Sequence, residues 1–118
     1  MLTNYYYIGV LMQLKIKTQD FLEAIKMLKK MAPSRGKARF INGPVSIQHS
    51  QNIAIFSVGP ASQICEAQGV WGGKVSFPFP VAHAFLKAPP IGEEVTITFK
   101  DGKVKIEGIS VTAYVDYS

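Results

Sequence analysis

The stretch VTITFKDGKVKIEG, residues 95–108, decides the fold. Val95, Ile97 and Phe99 alternate with Thr96, Thr98 and Lys100, the period-two pattern of a strand with one buried face. Asp101-Gly102 interrupts the alternation and KVKIEG resumes it. Asp-Gly between alternating runs predicts a two-residue hairpin turn, because both central residues must take positive φ. An earlier stretch, VSIQHSQNIAIFSV at residues 45–58, has the same texture around a turn-like Gln51-Asn52 pair, although its alternation slips by one residue after the turn. A hairpin written twice predicts a unit built twice.

The surrounding sequence fills in that unit. Residues 5–17 read as a strand rich in Tyr, Ile and Val that ends in the alternating LKIK. Thr18 stands at a helix N-cap position, with Asp20 in the first turn near the positive end of the dipole. Phe21, Leu22, Ile25 and Leu28 recur at three- and four-residue spacing, with Glu23, Lys26, Lys29 and Lys30 on the other side. Residues 19–31 therefore predict an amphipathic helix, ended by Pro33. SRGKARFINGP, residues 34–44, is a polar and basic connection. After the first hairpin, Gly59-Pro60 turns the chain and ASQICEAQGV reads as a third strand. Trp71-Gly72-Gly73 then separates the halves. KVSFPF restarts as a strand, Pro80 opens a short helix over PVAHAFLKA, and Pro89-Pro90 stops it. The second hairpin and a terminal ISVTAYV strand follow.

Each half thus reads strand, helix, strand, strand, strand, over about residues 10–70 and 74–115. The expected class is α+β, with two helices and about eight strands. Both helices should pack on the one apolar face of antiparallel sheet and leave the other face wet.

The totals fit this picture. A chain of 118 residues, 47% hydrophobic, suits a single domain over residues 1–118. Cys65 is the only cysteine, which excludes an internal disulfide and paired-cysteine zinc sites and points to a reducing compartment. The N-terminal run lacks the basic start of a signal peptide, and no segment approaches the roughly 20 apolar residues of a membrane helix. A cytoplasmic protein without membrane contact is expected. The net charge of +5 is uneven: residues 1–43 carry eight basic and two acidic residues, residues 44–118 five basic and six acidic. Local positive charge of this kind suits a polyanion such as nucleic acid.

A tandem β-α-β-β-β unit of this size resembles one domain of a DNA sliding clamp, the ring-shaped processivity factors of replicative polymerases, bacterial beta clamp and PCNA alike. LKIKTQDFLEAIKMLKKMAP is similar to the opening strand and helix of a clamp domain. KVSFPFPVAHAFLKAPPIGEEVTITFKDGKVKIEG is similar to the second strand, second helix and hairpin, with Val104 where clamps often have Leu. The resemblance covers nearly the whole chain. It implies a DNA-clamp-like fold, helices that face double-stranded DNA, and sheets that join edge to edge in a homo-oligomer. It also implies partners among replication or repair proteins. Clamp chains carry two or three such domains, so a ring made of this chain implies a homohexamer. Clamps are also usually acidic overall, whereas this chain is basic.

Candidate sites follow. Lys26, Lys29 and Lys30 with Arg35, Lys37 and Arg39 are the candidate DNA-backbone patch, since phosphate contacts need flexible positive charge rather than base-edge geometry, against an alternative in which they are an ordinary solvated helix face and loop. The resemblance adds His83 and Lys87 to the DNA-facing side. The patch has no interleaved aromatics, so stacking on single strands is not predicted there. The consecutive Tyr5, Tyr6 and Tyr7 must alternate between strand faces; Tyr5, Tyr7 and Trp71 are the interface candidates, against an alternative in which all pack internally. Residues 5–17 and the later strands are the expected assembly edges. His49, His83 and Cys65 do not form a credible nucleophile–base set, because no carboxylate is spaced to orient either imidazole. Neither zinc-ligand spacing nor a phosphate-cradling glycine motif occurs. The expectation is a non-enzymatic protein without cofactor or metal. The alternative is a clamp-fold protein–protein interaction or scaffold module with no DNA contact.

Overall fold

The computed structural model describes residues 12–31 and 43–116. Strand β1, Met12–Lys17, runs directly into helix α1, Thr18–Met31. Strands β2, Pro44–Ser50, β3, Ile53–Val58, β4, Ala61–Glu66, and β5, Gln68–Val70, complete the first half. The second half is β6, Lys74–Pro78, then α2, Phe79–His83, extended by a 3₁₀ turn at Ala84–Leu86. Strands β7, Glu94–Lys100, β8, Lys103–Ile106, β9, Ile109–Thr112, and β10, Tyr114–Asp116, follow. Among the described residues the fold is α+β, with two helices and two five-stranded antiparallel sheets.

The halves exchange their first strands. Sheet 1 has the order β5-β1-β7-β8-β9 and sheet 2 the order β10-β6-β2-β3-β4. Strand β1 of the first half therefore lies against β7 of the second, and β6 of the second lies against β2 of the first. Matching backbone bonds mark the repeat. The first residue of each helix donates to the residue just before the partnering strand, Thr18 N–H to Glu93 O at 2.9 Å and Phe79 N–H to Gly43 O at 2.8 Å. Each hairpin turn also receives a bond from a buried alanine, Ala67 N–H to Asn52 O and Ala113 N–H to Gly102 O, both at 2.9 Å.

Those alanines account for the main departure from the expected elements. The runs at residues 61–70 and 109–115 are each two strands rather than one, giving ten strands among the described residues in place of about eight. At Ala67 and at Ala113 the chain leaves one sheet, bonds to a turn, and joins the other. Gly69 makes the first of these crossings possible. Its φ is +146°, and a Cβ there would lie 2.0 Å from the Gln13 carbonyl oxygen, so only glycine lets β5 approach β1.

Strand β1 is also not a free edge. It is paired on one side by β5 and on the other by β7, which removes residues 12–17 from the expected assembly edges. The edges among the described residues are β5 and β9 in sheet 1 and β10 and β4 in sheet 2.

One core unites the parts. Leu14, Ile16, Val95, Ile97, Val104 and Ile106 from sheet 1 join Val45, Ile47, Phe56, Val75 and Phe77 from sheet 2. Helix α1 contributes Phe21, Ala24, Ile25 and Leu28. Phe21 sits edge-on to Phe56 at 6.1 Å and to Phe85 at 5.8 Å, linking α1 to sheet 2 and to the α2 segment. Truncating such a buried phenylalanine typically costs about 3–5 kcal/mol. The Thr18 hydroxyl donates to the Gly92 carbonyl at 2.7 Å, so the residue at the helix start also fastens the loop ahead of β7.

Candidate nucleic-acid interface

Helix α1 buries the stripe Phe21, Ala24, Ile25, Leu28 and leaves Gln19, Glu23, Lys26, Lys29 and Lys30 exposed. Lys29 and Lys30 lie in the last turn, where cations complement the negative end of the dipole. Lys29 flanks this face on the side of α2. There its charge and that of Lys87 both act on the His83 imidazole. Burial is the main influence that lowers the His83 pKa from its usual 6.5, and Lys29 and Lys87 lower it further. The His83 ring also lies beside Phe79, at 5.9 Å between centroids. Lys29 of the first half and Lys87 of the second thus put their charges on one side of the molecule, with His83 between them held toward its neutral form.

The other expected residues divide in two groups. Arg35, Lys37 and Arg39, with Tyr5 and Tyr7, lie outside the described residues. Trp71 is 7% exposed, and its indole N–H donates to the Ile47 carbonyl at 3.1 Å. Its ring is filled in by the chain's own core, which leaves little of it for a partner.

Cys65 and His49 have separate surroundings. The Cys65 thiol is pushed up to about 11 by burial and by the nearby Asp20 carboxylate, so it stays protonated and is a poor nucleophile near neutral pH. The His49 Nε2–H donates to the Ala67 carbonyl at 3.0 Å, a structural bond at the strand crossing. No group of three or more potential metal ligands gathers among the described residues.

A second cluster of lysines was not grouped by the sequence. Lys15 and Lys17 of β1, Lys100 of β7, and Lys103 and Lys105 of β8 all project from the outer face of sheet 1. The signal was present in the K-x-K spacings of LKIK and KVK, but only the β1–β7 pairing puts them on one surface.

No protein-family model matches the chain, and no curated protein matches it in sequence. No helix among the described residues is long and apolar enough to cross a membrane.

Proposed function

We propose that this chain is a non-enzymatic, sliding-clamp-like domain that self-associates through sheet edges and holds duplex DNA by its phosphate backbone. The observation that carries the reading is the two-helix surface on which Lys29, His83 and Lys87 converge beside Lys26 and Lys30. A helical face with mobile cations and no aromatic platform suits sequence-independent backbone contact. The doubled β-α-β-β-β order supports the clamp-like part of the reading, and the exposed strands β4 and β9 offer edges for assembly. Replication or repair proteins are the partner class that this reading implies.

The test is duplex binding by fluorescence anisotropy across a salt series, with the mass of protein and complex read by light scattering. Replacing Lys26, Lys29 and Lys30 by Glu is expected to weaken binding and to flatten the log K against log salt slope by about 2–3, at about 0.9 per phosphate contact. An unchanged slope would remove the helices from the contact surface.

A scaffold module without DNA contact is the second reading. It is favoured by the outer face of sheet 2, where Ile64 and Tyr114 are 65% and 75% exposed. Wild-type protein that fails to bind duplex at low salt, yet self-associates, would select it.

A further inference from the structure

We propose that the outer face of sheet 1 is a second docking surface, for the phosphate backbone of duplex nucleic acid, independent of the helical face. The two sheets are related by the repeat, yet their outer faces differ in chemistry. Sheet 2 turns out Gln48, Ile55, Ser57, Ser62, Ile64 and Glu66 in its central and β4 strands, and its one outward lysine among the described residues, Lys74 of β6, stands opposite Asp116. Sheet 1 turns out Lys15, Lys17, Lys100, Lys103 and Lys105 at the positions that alternate with its buried residues. Shared topology does not require that difference.

The lysines are arranged against the interest of the isolated sheet. Lys100 and Lys103 are directly opposite each other across the hairpin, a pairing of like charges that costs stability. Lys105 stands opposite Thr98 on one side and Ser110 on the other, and Lys15 opposite Thr96. Hydroxyls therefore lie between the ammonium groups, and lysine with Ser and Thr is the set that contacts phosphate oxygens. Glu94 is the acid on this face, opposite Lys17, and Asp101 and Glu107 lie in the turns at its margin. Lysines remain in excess. Together Thr96, Thr98, Lys100, Lys103, Lys105 and Ser110 line an open depression in the sheet.

The chemistry selects the occupant. Same-face residues on a strand repeat at about 6.7 Å, comparable to the advance of two phosphates along one DNA strand. The central strands of the face present no aromatic side chain, so bases have nothing to stack on and a duplex fits better than a single strand. They present no apolar anchor of the kind that peptide partners and membrane surfaces use.

The experiment compares wild type with Lys15→Gln/Lys103→Gln/Lys105→Gln, using a fluorescein-labelled duplex over a salt series. The helix variant Lys26→Gln/Lys29→Gln/Lys30→Gln runs in parallel. The sheet variant is expected to flatten the salt slope by about 2–3, whether or not the helix variant also does. A sheet variant with wild-type slope and affinity overturns the proposal, while the helix variant separately reports on the helical face. Loss of binding to phosphatidylserine vesicles or to polyglutamate, with duplex binding intact, would also overturn it and assign the face to another polyanion. Thermal unfolding checks each fold. The single change Lys103→Glu, which faces Lys100 with an opposite charge, gives a variant expected to stay folded and still to lose slope.

Discussion

His83 is the side chain of the helical face whose charge changes near neutral pH. Burial, Lys29 and Lys87 all disfavour its imidazolium, so the folded chain holds this proton less tightly than the unfolded chain does at the usual 6.5. Between the lowered folded value and 6.5 the unfolded chain binds more protons, so stability rises with pH through that window and is lost as pH falls. A phosphate beside the ring acts in the opposite sense and favours the charged form. Duplex affinity should therefore climb as pH drops below about 6.5 at fixed salt, and His83→Gln should flatten that climb. Matching pH profiles for the two proteins would place the phosphates away from His83. The meeting of His83 with Lys29 is not legible in the sequence, because it depends on helices brought together by Phe21 and Phe85. Of the two readings of Trp71, packing beneath the connection is the one the burial supports. What the sequence could not supply is the acceptor, a carbonyl from β2 that receives its indole N–H.

The hairpins are the elements that the sequence states most directly, since turn chemistry is local. Gln51 and Asn52 take φ of 50° and 69°, and Asp101 and Gly102 take 54° and 77°, the doubly positive pattern of a type I′ turn in both halves. The apparent slip after the first turn comes from Ile53 and Ile55. These face outward, while Ala54 and Phe56 keep the inward register of Val104 and Ile106. Hydrophobicity alone could not choose between the two alternations; the pairing does. The strand breaks at Ala67 and Ala113 leave no local signal, because each is set by a bond to a distant turn. Between β8 and β9, Glu107 carries φ of 58° where the matching turn has Gly59 at 56°. A non-glycine residue in that region costs about 1–2 kcal/mol, and glycine returns about 0.4–1 kcal/mol of that through unfolded-state entropy. Glu107→Gly should therefore gain about 0.5–1 kcal/mol, seen as a Tm rise of about 2–5 °C. A fall in Tm would show that the Glu107 side chain holds the turn. The same change removes an acid from the margin of the lysine face, so it should also tighten duplex binding if that face is occupied.

At the scale of the whole molecule, the exchanged strands make the two halves interdependent. The sequence shows two consecutive units in a chain too short for two independent cores. The pairing shows how they share one, since β1 lies against β7 and β6 against β2. A first half ending at Gly73 would keep β1 without β7 and β2 without β6, and Phe21 would lose Phe85. Each half would expose a strand on both edges and much of the shared core, at a length where a single core is already marginal. Residues 1–73 and 74–118, expressed separately, should therefore each lack a cooperative thermal transition. Mixed in equal amounts, they should form a one-to-one complex whose circular dichroism matches the intact chain, with assembly slowed because the β1–β7 and β2–β6 pairings become intermolecular. A first half that melts cooperatively alone would mean that its three-stranded meander can shield its own core, and the exchange would then be a dispensable feature of the fold. If the halves instead fold only together, the lysine face, to which β1 and β7–β8 each contribute, exists only in the assembled domain. Duplex binding through that face should then appear on mixing and be absent from either half.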